Sequence, residues 1–313
     1  MRAGRIFRTV SSRLPLLWFL LAVLFSIFNA AAMLVNDRFK VDGNLMSAMR
    51  GLGVSAAFFP ALFFVEFPES PSFWAMVILQ GLMSAYYSSK LYEASAIYGA
   101  GSTARVSVLS LLFAVAFWWI LDFGSFVELL RAPASLAVLA LSLAAVVWGF
   151  VKMTSKGRDR AGARYLIPAV VVFAAMMVNR KEIMEGQSFA DGIVYYCAVS
   201  IFISGVSNAA IYCRRNSFAA FAGELGRRRT LLAGALMAAA SALTLIAGNS
   251  AAYYVPNPGY VNAVSLLSPV WIMLPGLRGA GRDRPALPAV AAMLLGLFGL
   301  VMASSGPWEL PHI

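Results

Sequence analysis

Three ionisable side chains stand inside long apolar runs of this 313-residue chain: Lys90, Glu93 and Arg105. A charge among apolar neighbours is costly unless it is paired or wetted. Lys90 and Glu93 are three residues apart, so a helix places them on one face, where they can pair. Arg105 follows a turn at Gly99–Gly101, and a chain reversing there brings it back to the level of Lys90. Tyr86 lies one turn before Lys90, and Tyr98 lies beside the turn. One reading is a binding or gating cluster for a polar or anionic group. The other is a salt-bridge knot tying two helix ends, with the long stems snorkelling to water. A second polar set, Asn249, Ser250, Tyr253, Tyr254 and Asn262, carries no charge and could bond a solute or join helices. The candidate substrate-binding or gating residues are therefore Tyr86, Lys90, Glu93, Tyr98, Arg105, Asn249, Tyr253 and Asn262.

Other chemistries lack their residues. The only histidine, His312, is in the C-terminal tail, and Cys197 and Cys213 form no CxxC or Cys/His cluster. Neither a zinc site nor a disulfide framework is indicated. There is no Walker-type phosphate loop and no Gly-x-Ser-x-Gly pattern. Asp37 and Asp42 flank Arg38 and Lys40 in one short stretch without a histidine, a poor match to the paired acids or metal of a membrane enzyme acting on lipid-linked substrates. The expectation is no catalytic residue, no metal, no cofactor and no enzyme activity.

The elements that carry these residues follow from composition. Hydrophobic residues make up 60% of the chain and charged residues 12%, against about 25% charged in soluble domains. Such a chain is an integral membrane protein. Its net charge of +11 does not indicate nucleic acid, because the basic residues sit in short loops between apolar runs, as positive-inside topology requires. Ten spans are expected, at 15–35, 46–66, 73–95, 103–121, 134–152, 165–180, 190–213, 230–251, 260–277 and 286–304. Ala30-Ala31-Ala32 resembles a signal-peptide cleavage site, but the first run repeats later in the chain and is read as a retained span.

That repeat sets the architecture. Ala31-Ala32-Met33-Leu34-Val35-Asn36 returns as Ala174-Ala175-Met176-Met177-Val178-Asn179, with Gly43 and Gly186 seven residues past each Asn. Val106-Ser107-Val108-Leu109-Ser110 returns as Val264-Ser265-Leu266-Leu267-Ser268. Five spans per half leave the second half upside down, which is the inverted-repeat plan of transporters. The expected fold is all-α: a polytopic membrane protein of ten transmembrane helices in two inverted five-helix repeats. The expected boundaries are a basic tail 1–14, a first repeat 15–153, a basic loop 154–164, a second repeat 165–305 and a tail 306–313. Asn36 and Asn179 are expected to terminate helices one and six. Arg180, Lys181, Glu182 and Glu185 read as a solvated loop. Trp118, Trp119 and Trp148 read as an interfacial belt.

Orientation follows from Lys and Arg. Segments 36–50, 152–165, 214–229 and 278–284 carry 16 basic residues, and the opposite face carries 7. The richer face is read as cytoplasmic. A cavity is expected between the halves, lined by helices three, four, eight and nine, where the polar span residues concentrate. Helices five and ten are placed at the periphery or at a homodimer contact.

Three further features resemble a known family. Arg50 opens helix two. Small residues and tyrosines end helices three and eight, in Glu93–Tyr98 and Asn249–Tyr254. Ser268-Pro269 lies in helix nine, before a last helix bearing Gly296 and Gly299. With the five-plus-five count, these resemble the EamA-like branch of the drug/metabolite transporter superfamily over roughly residues 15–305. The resemblance implies a secondary transporter, and an exporter, moving a small organic metabolite by alternating access in the inner membrane of a bacterium. A nucleotide-sugar or other phosphorylated-solute carrier is the alternative, ahead of a lipid-active enzyme or a non-transporting scaffold. The partners implied are a small-molecule substrate and the lipid bilayer.

Overall fold

The computed structural model describes residues 15–107, 109–153, 157–185, 187–255, 258–277 and 287–304. The N-terminal arginines, Val108, Gly186, the loop Arg282–Arg284, His312 and the C-terminal tail lie outside the described residues. All the regular elements described are helical. They are α1 Pro15–Phe39, α2 Gly43–Phe58 with a 3-10 turn Phe59–Phe64, α3 Pro71–Tyr98, α4 Ala100–Ser107, α5 Ser110–Leu121, α6 Phe123–Leu130 and α7 Pro133–Met153. The second half holds α8 Gly157–Glu185, α9 Phe189–Tyr195, a π-helical segment Tyr196–Ser200, α10 Ile201–Asn216, α11 Phe218–Leu225, α12 Arg228–Tyr254, α13 Pro258–Ser265, α14 Ser268–Leu277 and α15 Leu287–Ser304.

Local chemistry sets several boundaries. The Asp42 carboxylate accepts from Asn44 N at 2.9 Å and Leu45 N at 3.1 Å, capping α2. Pro71 opens α3, where its missing N–H is no loss. Gly99 ends α3 at φ 92°, a conformation that favours glycine.

Among the described residues, six helical stretches are long and apolar enough to cross a membrane: Leu17–Phe39, Gly43–Phe64, Ala100–Leu121, Ala161–Glu185, Phe189–Asn216 and Arg228–Tyr254. Outward faces are greasy: Leu20, Leu24, Ile27 and Leu34 on α1, and Leu232, Leu236, Leu243 and Ile246 on α12, are exposed. Apolar surface on this scale suits lipid rather than water. The chain is an all-helical, multi-pass membrane protein.

The packing of the helices has a pattern. α1 runs along α12, and α3 runs along α8. The pair α13 and α14 leans on α1, while α4 and α5 lean on α8. α2 crosses α10, and α7 pairs with α15. The α2–α10 crossing is backbone to backbone: a Cβ on Gly51 would lie 2.5 Å from Gly205 Cα. The α7–α15 pair is equally tight, because a Cβ on Gly296 would lie 2.6 Å from the Ser142 carbonyl oxygen.

The second sequence echo marks a pair of helix breaks. α4 ends at Ser107 and α5 starts at Ser110; α13 ends at Ser265 and α14 starts at Ser268. In each break the serine that opens the new helix donates back to a carbonyl freed by the break: Ser110 Oγ to Ser107 O at 2.6 Å, and Ser268 Oγ to Ser265 O at 2.7 Å.

Three expectations are corrected. Span six does not end at Asn179, because α8 continues to Glu185. Arg180 and Lys181 are therefore not in a solvated loop: they are 3% and 2% exposed. Partners explain both. Lys181 Nζ lies 3.0 Å from Ala252 O, 2.6 Å from Val255 O and 3.0 Å from Glu185 Oε1, so it caps the end of α12. Arg180 turns inward to Tyr196. Trp118 is buried too, and only Trp148 of the proposed belt is well exposed.

Candidate functional site

A cavity opens where α1, α2, α3, α8, the π-helical segment and α12 converge. Its volume, counted as space open to the centre of a water, is about 50 Å³. One water needs about 10–15 Å³ on that measure, so the space takes a few waters or one compact polar group. The first half supplies Phe25, Asn29, Arg50, Ser84, Tyr87 and Ser88; the second supplies Phe173, Arg180, Tyr196, Ser241 and Thr244. No Asp or Glu is among the lining residues.

Two arginines dominate its electrostatics. Arg50 is 8% exposed and Arg180 is 3% exposed. Nη1 of each is buried without a hydrogen-bond partner. Arginine does not deprotonate in proteins, so both charges stay. A central arginine costs about 2.5–3.5 kcal/mol on insertion scales. Among the described residues neither is seen in an ion pair, whereas Lys40 pairs with Asp37, Lys90 with Glu93, Lys181 with Glu185 and Arg227 with Glu224.

Arg180 is held rigidly. Its Nε and Nη2 donate to the Tyr196 hydroxyl oxygen at 3.3 and 3.2 Å. Its guanidinium carbon lies 5.2 Å from the Tyr196 ring centre and 5.7 Å from that of Phe25, within cation–π range. Gln80 Nε2 donates to the same hydroxyl at 2.5 Å. Asn179 Nδ2 donates to Gln80 Oε1 at 2.8 Å and to Met76 O at 3.0 Å, which sets the Gln80 amide. The π-helical turn rotates Tyr196 into this network; such bulges are frequent at functional sites. Gly248 leaves room for the guanidinium, since a Cβ there would lie 2.9 Å from Arg180 Nη1. Arg50 precedes Gly51, so the backbone crossing with α10 fixes its level.

The residues singled out from the sequence fall into separate groups, and none lines this cavity. Lys90 and Glu93 meet at 3.6 Å. Tyr165 bridges them: its hydroxyl accepts from Lys90 at 2.9 Å and donates to the Glu93 carboxylate. Tyr98 packs beside Tyr165. This half-exposed knot fastens α3 to α8. Tyr86 points outward, 42% exposed. Arg105 is buried on α4. Asn262 exchanges hydrogen bonds with Ser110, joining α13 to α5, and accepts one from Ser265. Asn249 donates to the Cys197 sulfur at 3.8 Å. Tyr253 packs on Phe189 and Tyr254. Asn36 closes the α1–α2 turn, bonding Val41 N and O at 3.2 Å, and ties it to Tyr92 O at 2.7 Å.

Helices three and eight of the sequence reading line the cavity, and helices one, two, six and seven join them in place of four and nine. Sequence reasoning treated Arg50 only as the start of a span and Arg180 as a loop residue. The available signal was the position of Arg180 directly after an echoed apolar stretch. No known family model matches the chain, and no curated protein matches it either.

Proposed function

We propose that this protein is a secondary transporter that moves a small organic solute by alternating access of two inverted five-helix halves. The cavity carries the reading, because both halves of the chain contribute polar groups to it. The packing supports the inverted repeat. Exchanging helix one with six, three with eight and four with nine turns α1–α12 into α8–α3, and α1 with α13 and α14 into α8 with α4 and α5. The matched breaks at Ser107–Ser110 and Ser265–Ser268 support it independently. Ten spans, an EamA-like type of drug/metabolite transporter, an inner-membrane location and the exporting direction complete the reading.

A lipid-active membrane enzyme is the competing class. Its best acids already have structural tasks: Asp37 pairs with Lys40 at 2.5 Å, and Asp42 caps α2. Vesicles containing the purified protein and loaded with a defined metabolite mixture test the proposal. Protein-dependent loss of a solute, without its chemical conversion, is expected. Retention of every solute, or appearance of a converted product, would overturn it.

A further inference from the structure

We infer that the central cavity binds the anionic group of its solute, a carboxylate or a phosphate, through Arg50 and Arg180. The inference rests on the cavity being the solute site and adds the chemical class that it selects. Both arginines are more than nine-tenths buried, both line the cavity, and each has a buried Nη1 with no partner. Two fixed positive charges lining one cavity repel each other, and no carboxylate in the lining offsets them. An anion entering the cavity supplies the missing counter-charge and the missing acceptors together. The planar guanidinium fork matches carboxylate and phosphate oxygens.

The rest of the lining fits the same ligand. Ser84, whose buried Oγ has no partner, offers a hydroxyl donor, and Asn29 offers an amide. Tyr87 stacks on Phe173 with centroids 4.4 Å apart, giving an aromatic wall for an apolar or planar body. With no acid in the lining, an ammonium group has no ion-pair partner there. The solute is therefore an anion rather than a cation.

The test is equilibrium binding to the purified full-length protein in detergent at fixed ionic strength. Radiolabelled succinate and inorganic phosphate are the two anionic probes, and tetraethylammonium is the cationic control. Saturable binding of at least one anion and none of the cation is expected, and the anion that binds more tightly identifies carboxylate or phosphate as the group selected. Arg50→Gln and Arg180→Gln should each weaken that binding at least tenfold. Arg180→Lys, which keeps the charge, should weaken it less than Arg180→Gln. Thermal unfolding of the same samples reports folding; if Arg180→Gln does not fold, Arg50→Gln and the unsubstituted protein decide the question. Absence of saturable anion binding, equal affinity in the glutamine variants, or preferred binding of the cation would overturn the inference. Vesicle transport of a neutral or cationic solute would overturn this inference alone. Anion binding without any vesicle transport would overturn the transporter reading alone.

Discussion

At the residue scale, buried cations divide into those whose donors all find acceptors in the fold and those that keep a donor without a partner. Lys181 has its acceptors, the carbonyls at the end of α12. Replacing it by Met leaves those carbonyls buried and without a donor, at a cost of about 1–3 kcal/mol. Thermal unfolding in detergent should register it as a clear fall in Tm. Arg180→Gln should behave differently. It removes a charge with no counter-ion, so the lost hydrogen bonds to Tyr196 are offset by relief from desolvation, and the fall in Tm should be smaller than for Lys181→Met. Tyr196→Phe deprives Gln80 and Arg180 of their shared acceptor. It should lower stability by about 1–3 kcal/mol, measured in the same way. The Lys90–Glu93 pair is about one-third exposed, so Lys90→Met should cost only about 0.2–1 kcal/mol.

At the element scale, the molecule depends on two close approaches and two breaks. Gly51→Ala forces a methyl group to within 2.5 Å of Gly205 Cα. Backbone cannot yield as a flexible side chain does, so the α2–α10 crossing must open, at a cost of about 1–3 kcal/mol. Because Arg50 is the preceding residue, the same variant should also weaken solute binding, which a titration of the purified protein would detect. The breaks between α4 and α5 and between α13 and α14 use the same serine back-bond. Ser110→Ala and Ser268→Ala should therefore both lower stability, by about 0.5–1.5 kcal/mol for the hydrogen bond lost to its carbonyl, read as a fall in Tm. The two losses should be similar, since each serine also bonds across the bundle, Ser110 to Asn262 and Ser268 to Ser26 O and Asn29.

At the scale of the whole molecule, the basic residues predict how the protein sits in its membrane. With ten spans, and with the buried Arg50, Arg180 and Lys181 left out, 15 basic residues would fall on one face and 5 on the other, so reporter fusions after Lys156 and within Ser217–Glu224 should behave as cytoplasmic. Outer-side behaviour of both would show that the arginines of the N-terminal tail govern insertion instead. The packing of α1 with α12 and of α3 with α8 sets the cavity among helices from both halves of the chain, so in the proposed transport cycle access would change by a rocking of packed helices rather than a local loop movement.

The sequence by itself determined the class. An apolar content of 60% leaves no soluble alternative, because such a surface cannot be hidden from water. It also contained the two echoes, but that the second falls on helix breaks after Ser107 and Ser265 is visible only in the structure, where Ser110 and Ser268 each bond a carbonyl of the preceding helix and a partner across the bundle. The site was different. Lys90, Glu93 and Arg105 attracted notice as charges inside apolar runs, and two of them form a neutral knot with Tyr165. Arg180 and Lys181 are adjacent in sequence and alike in charge, and nothing local tells them apart. One caps α12 and the other enters the cavity, because consecutive residues on a helix point about 100° apart. Only the positions of α12 and Tyr196, set by packing across the whole chain, decide which side chain finds acceptors and which is left with an unpaired charge.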